Sequence, residues 1–152
     1  MKGKKKNEKK VEINGATVNS MGGKKCYIRN TYLSLYLDTN NVGDVYFSSA
    51  NITKWEFIKT DLDGSYFIKH IPTGLYLTSN EKGDIFTSIE LNSTFQKWYI
   101  HTTTELEIYG YQNCSNELYI SVNLKGEIYL NIKDENCAKT GLMYTFQFFP
   151  KK

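Results

Sequence analysis

The chain has 152 residues, a length that predicts one domain with a hydrophobic core large enough to need no disulfide staples. Hydrophobic residues make up 40% and charged residues 23%, the balance of a soluble globular protein, and no apolar run approaches the roughly 18 residues of a membrane span. The net charge of +3 comes from one end: the first ten residues hold six Lys and one Glu, whereas residues 11–152 hold 13 basic and 15 acidic residues.

In chain order, residues 1–22 read as a Lys-rich flexible tail, with the folded domain expected over residues 23–152. The charged start is not followed by an apolar stretch, so no secretory signal is visible. The next signal is Leu35-Tyr36-Leu37, a five-residue polar spacer, then Gly43-Asp44-Val45-Tyr46. Side chains two apart on a strand share a face, and Gly supplies the positive φ a turn needs, so this segment predicts a hairpin. The aromatic Trp55 closes the unit, and Glu56-Phe57-Ile58 and Tyr66-Phe67-Ile68 read as short strands around the turn at residues 61–64. The same hairpin then recurs as Leu75-Tyr76-Leu77 with Gly83-Asp84-Ile85-Phe86, closed by Trp98. After a strand at Glu107-Ile108-Tyr109 it recurs once more as Leu118-Tyr119-Ile120 with Gly126-Glu127-Ile128-Tyr129, closed by Phe146 and Phe148.

Three copies about 40 residues apart, each of four short strands, cannot bury their apolar faces singly, and open sheet edges invite aggregation. Closure with threefold pseudo-symmetry answers both, so the expected fold is all-β: a β-trefoil of three pseudo-symmetric four-strand repeats.

The chemistry-bearing residues point away from catalysis. His70 and His101 stand in no metal-ligand spacing, Cys26, Cys114 and Cys137 form no C-x-x-C pair, and no nucleophile elbow or phosphate loop occurs. Asp44, Asp84 and Glu127 follow Gly at equivalent repeat positions and read as turn residues. No enzyme activity, cofactor or metal is expected, and neither a nucleic acid nor a membrane is an expected partner. Three glycosylation sequons begin at Asn51, Asn92 and Asn113.

The run Tyr66-Phe67-Ile68-Lys69-His70, Thr73-Gly74-Leu75-Tyr76-Leu77 and Asn80-Glu81-Lys82-Gly83-Asp84-Ile85-Phe86-Thr87-Ser88 resembles the central segment of fibroblast growth factors. Tyr27-Ile28-Arg29-Asn30, residues 118–126 and the Phe148-Phe149-Pro150 ending are similar to other parts of that family, over about residues 25–150. The resemblance implies a secreted, monomeric ligand of a receptor tyrosine kinase, touching the receptor's extracellular domain through Tyr27, Tyr111 and Phe149. It also implies a sulfated glycosaminoglycan site at Arg29, Asn30, Lys125, Lys133 and Lys139. Because such sugars are held by charge, a body with more acids than bases predicts weak heparin binding. Where the family has Cys-x-Phe this chain has Gln96-Lys97-Trp98, a motif similar to the Gln-x-Trp of ricin-type lectin trefoils. That second resemblance implies carbohydrate binding, in shallow pockets near Asp44, Asp84 or Glu127. A third, to fascin-like cytoskeletal trefoils through the Gly-x-Tyr-Leu hairpin, implies with the lectin reading a cytoplasmic location.

Overall fold

A computed structural model describes residues 13–30, 33–49, 53–104, 108–123, 125–132 and 145–147. The described chain is all-β and antiparallel, with one short 3-10 turn at Thr94–Gln96. The strands are β1 (Ile13–Thr17), β2 (Lys25–Cys26), β3 (Arg29–Asn30), β4 (Leu35–Thr39), β5 (Val45–Ser48), β6 (Trp55–Lys59) and β7 (Ser65–His70). They continue as β8 (Tyr76–Ser79), β9 (Ile85–Ser88), β10 (Trp98–Thr103), β11 (Tyr109–Asn113), β12 (Tyr119–Val122), β13 (Ile128–Asn131) and β14 (Thr145–Gln147).

Neighbouring strands run β6-β7-β10-β11-β14-β3, and β2 pairs back onto β6. Only Tyr27 and Ile28 separate β2 from β3, so the path returns to its start and closes a ring. The hairpins β4–β5, β8–β9 and β12–β13 spring from this ring beside β3, β7 and β11. These are the three hairpins expected from the sequence. Trp55, Phe57, Tyr66, Ile68, Trp98 and Ile100 fill the ring, joined by Leu37, Leu77 and Ile120 from the hairpins, all fully buried.

The same local bonds recur in each copy. Asn40 Oδ1 accepts the backbone N–H of Val42 and Asp44 while its amide donates to the Asp44 carboxylate. Asn80 does the same for Lys82 and Asp84, and Asn123 for Lys125 and Glu127. The acids after Gly are therefore turn residues, as their positions suggested. Each hairpin is entered through a left-handed residue that donates four residues back: Ser34 to Asn30, Gly74 to His70, Glu117 to Asn113. The indole N–H of Trp55 donates to the Leu37 carbonyl at 3.0 Å, and that of Trp98 to Leu77 at 2.9 Å.

Two expectations are corrected. The tail assigned to residues 1–22 contains β1, which pairs with β10, and Met21, which is buried in the core. The Tyr66 hydroxyl fastens this segment, donating to the Val18 carbonyl and accepting the Met21 N–H. Tyr111, expected at a receptor-facing surface, is 1% exposed, with its ring edge-on to Phe57 and its hydroxyl pushed well above its ordinary pKa by burial.

Candidate functional site

The expected receptor and heparin residues do not converge. Tyr27 is half-buried, with Tyr36 edge-on at 6.0 Å and the Lys54 ammonium 5.4 Å from its ring centre. Arg29 donates to the Ser34 hydroxyl. Asn30 is fully buried and accepts the Leu33 N–H, so it cannot face a sulfated sugar, which corrects that assignment. Lys125 is exposed at the tip of the third hairpin. Phe149, Lys133 and Lys139 lie outside the described residues, as do Phe148 and Cys137. Burial pushes the Cys26 thiol up to about 12 and the Cys114 thiol up to about 11, so neither is a ready nucleophile. Among the described residues no group of three or more His, Cys, Asp or Glu could hold a metal ion, and no helix is long and apolar enough to cross a membrane.

Two features beside the hairpins stand out instead. The first is a cleft of about 320 Å³ lined by Asn80, Glu81, Lys82 and Phe95. One wall is the second hairpin's tip, the other the turn that carries Phe95. Both walls are fixed. Ser93 Oγ accepts the Phe95 N–H while Gln96 Oε1 accepts the Ser93 N–H, a reciprocal cap. The buried Asn113 amide donates to the Phe95 carbonyl, and the Asn116 amide ties down Ser79 and the Asn80 carbonyl. Gln96 of the Gln-x-Trp motif thus serves as a cap, and Trp98 as a core anchor. The side chain of Asn80 is committed to its turn, which leaves Glu81 and Lys82 as exposed polar groups facing an aromatic wall.

The second feature is where the copies differ. Asp38, Thr78 and Ser121 are equivalent, as are His70, Asn30 and Asn113. Asp38 Oδ1 accepts three donors: the Thr39 N–H at 2.8 Å, the Thr53 hydroxyl at 2.9 Å and His70 Nε2 at 2.9 Å. The Thr73 hydroxyl lies 2.8 Å from His70 Nδ1, and Trp55 packs edge-on against the imidazole. Burial holds His70 below its usual pKa, against the opposing pull of Asp38. Directly across the hairpin from Asp38 stands the exposed Tyr46.

Asp38 was not singled out from the sequence; comparing it with Thr78 and Ser121 at the same place in the sibling repeats would have found it. Phe95 carried no sequence signal, because it sits in a turn outside the repeated strands.

No protein-family model matches the chain, and no curated protein matches it in sequence. Its fold is shared with solved structures. One is SeviL bound to asialo-GM1 saccharide, at TM-score 0.69 and 18% identity over 86% of this chain and 99% of that one. Another is a GH43 β-1,3-galactosidase, at TM-score 0.68 and 20% identity over 92% of this chain. The likeness covers 29% of that enzyme's chain. Neither is a fibroblast growth factor, and none of these comparisons supports that resemblance.

Proposed function

We propose that this chain is a β-trefoil that binds carbohydrate without transforming it. The observation that carries the reading is the fixed cleft at the second hairpin, with Phe95 on one side and Glu81 and Lys82 on the other. A pyranose ring has an apolar C–H face and an edge of hydroxyls. An aromatic wall suits the face, and an acceptor and a donor one residue apart suit the edge. The volume is at the small end of ligand pockets and fits one or two sugar rings better than a long chain. Likeness of fold to a saccharide-bound protein over its whole length supports the same reading. The growth-factor reading draws less support, because Tyr111 is in the core and Arg29 is engaged by Ser34.

The test is a glycan array followed by calorimetry on the best hit with Phe95→Ala. Losing the aromatic wall should cost about 1.5 kcal/mol, roughly a tenfold weaker Kd, with an unchanged melting temperature. An array without hits, or a Phe95→Ala protein that binds as well as the parent, would sink the proposal.

A further inference from the structure

The corners at which the three hairpins leave the ring share a backbone and differ in chemistry. At each, the carbonyl of a buried residue accepts an N–H from four residues on: Asn30 from Ser34, His70 from Gly74, Asn113 from Glu117. Two of these side chains are amides, and only the third titrates. The hydrogen bonds around His70 fix its state by their directions. A carboxylate only accepts, so His70 Nε2, 2.9 Å from Asp38 Oδ1, carries a hydrogen. In the neutral ring Nδ1 is then the acceptor, and its partner at 2.8 Å is the Thr73 hydroxyl. That hydroxyl already accepts the Leu75 N–H at 3.2 Å, which leaves its own hydrogen for Nδ1. One directed chain therefore runs from the Leu75 backbone through Thr73 and His70 to Asp38, tying the entry of the second hairpin to the first hairpin. The groups that face the imidazole are Asp38 from β4, Trp55 from β6 with its ring 4.8 Å away, and Thr73 from the turn, while Thr53 reaches it through Asp38 Oδ1. Of these, Asp38 alone carries charge.

We propose that His70 is a proton-operated latch on the corner of the second hairpin: the neutral ring holds the turn at Thr73 and Leu75, and the charged ring releases it while staying paired with Asp38. A second proton can add only at Nδ1, where it meets the hydrogen of the Thr73 hydroxyl. The hydroxyl must turn away, and the chain to Leu75 is broken at its middle. The turn is exposed at Ile71 and Pro72, where it can shift without disturbing the core. Burial opposes the charged ring more than Asp38 favours it, so release falls on the acid side of the ordinary 6.5. The third corner supplies the contrast. There the Leu118 N–H goes to Asn116 Oδ1 at 2.9 Å, and Asn113 stands where His70 does, so that corner holds no proton-sensitive group.

The latch does not depend on the carbohydrate reading, and its test needs no sugar. The full chain is titrated with acid from neutral pH and followed by NMR of the His70 ring and of the backbone amides. The Leu75 amide should shift in step with the His70 ring, below pH 6.5. Its hydrogen exchange, corrected for the intrinsic effect of pH, should quicken by about fivefold or more across the same step. The Leu118 amide should show neither change, which makes it a control inside the same molecule. His70→Asn, which copies the sibling corners, should remove the step at Leu75. Two further variants should move the midpoint of the His70 ring in opposite directions. Asp38→Asn keeps an acceptor for Nε2–H without the charge and should lower it, whereas Thr73→Val removes the donor to Nδ1 and should raise it. A Leu75 amide that does not follow the His70 ring, an equal step at Leu118, or a step that survives His70→Asn would overturn the latch. So would a midpoint that moves the same way in both further variants. The comparison of Leu75 with Leu118 in the parent chain stands whether or not any variant folds.

Discussion

Gly43 and Gly23 both adopt a left-handed backbone, at φ +92° and +84°, but in different surroundings. A methyl group on Gly23 would meet nothing within 4 Å, whereas one on Gly43 would lie 2.8 Å from the Thr87 carbonyl oxygen. Gly23→Ala therefore isolates the conformational term. That term is about 1–2 kcal/mol for an L-residue in this region, offset by about 0.5 kcal/mol because alanine also restricts the unfolded chain. The net is about 1 kcal/mol. Gly43→Ala adds a collision with backbone, which cannot turn aside as a side chain can. The first hairpin must move off β9, weakening the Thr87 N–H to Gly43 carbonyl bond of 3.0 Å. Overpacking of this kind costs about 1–3 kcal/mol and the hydrogen bond about 1 kcal/mol. The expected total is about 3–5 kcal/mol. Urea unfolding followed by tryptophan fluorescence would measure both variants. At about 3 °C per kcal/mol, melting should fall by about 10 °C for Gly43→Ala and about 3 °C for Gly23→Ala. If the two variants fall within about 0.5 kcal/mol of each other, the hairpins do not pack against one another as described.

Two further outcomes are expected. Because burial lowers the His70 pKa in the folded state, the unfolded chain binds more protons below its ordinary value of 6.5. The contribution of His70 is then fully present above about pH 6.5 and is lost as pH falls towards the lowered folded value. His70→Asn, which copies Asn30 and Asn113, should show a smaller drop in unfolding free energy between pH 7.5 and 5.0 than the parent; an equal drop would refute the assignment. Trp55→Phe and Trp98→Phe each remove an indole donor from a buried leucine carbonyl and open a small void, so both should lose about 2–3 kcal/mol in denaturant titrations. A difference between them above about 1.5 kcal/mol would mean that the two tryptophans are not equivalent anchors.

The hairpins were readable because each carries its own closure. An Asn three residues before Gly, followed by an acid, fixes a turn by local hydrogen bonds alone, whatever surrounds it. The strand β1 was not readable for the opposite reason. Asn14 and Gly15 interrupt the alternation in Ile13–Thr17, and what makes the segment a strand is the edge of β10 and the distant Tyr66 hydroxyl. Tyr111 shows the same limit. In Tyr109-Gly110-Tyr111 a tyrosine stands at both ends, and local sequence cannot say that the second turns wholly into the ring while the first stays half-exposed. Asn30, His70 and Asn113 look like ordinary surface residues in sequence. They are buried because each holds the turn into its hairpin, at a corner that exists only once the ring has closed.

A threefold chain supplies its own controls. What the backbone demands appears three times: Asn40, Asn80 and Asn123 at the turns, and Leu37, Leu77 and Ile120 beneath them. A residue that departs from its two siblings is not required by the fold at that point, since the siblings fold without it. Asp38 is such a departure, and a costly one, because burying a carboxylate without a cationic partner is unfavourable unless hydrogen bonds compensate. Here His70, Thr53 and the Thr39 N–H all bond to Oδ1, and Oδ2 has no partner among the described residues. Thr78 and Ser121 fill the equivalent places with neutral hydroxyls, so the Asp38–His70–Thr53 network is particular to the first hairpin and is not one that the shared hairpin frame requires.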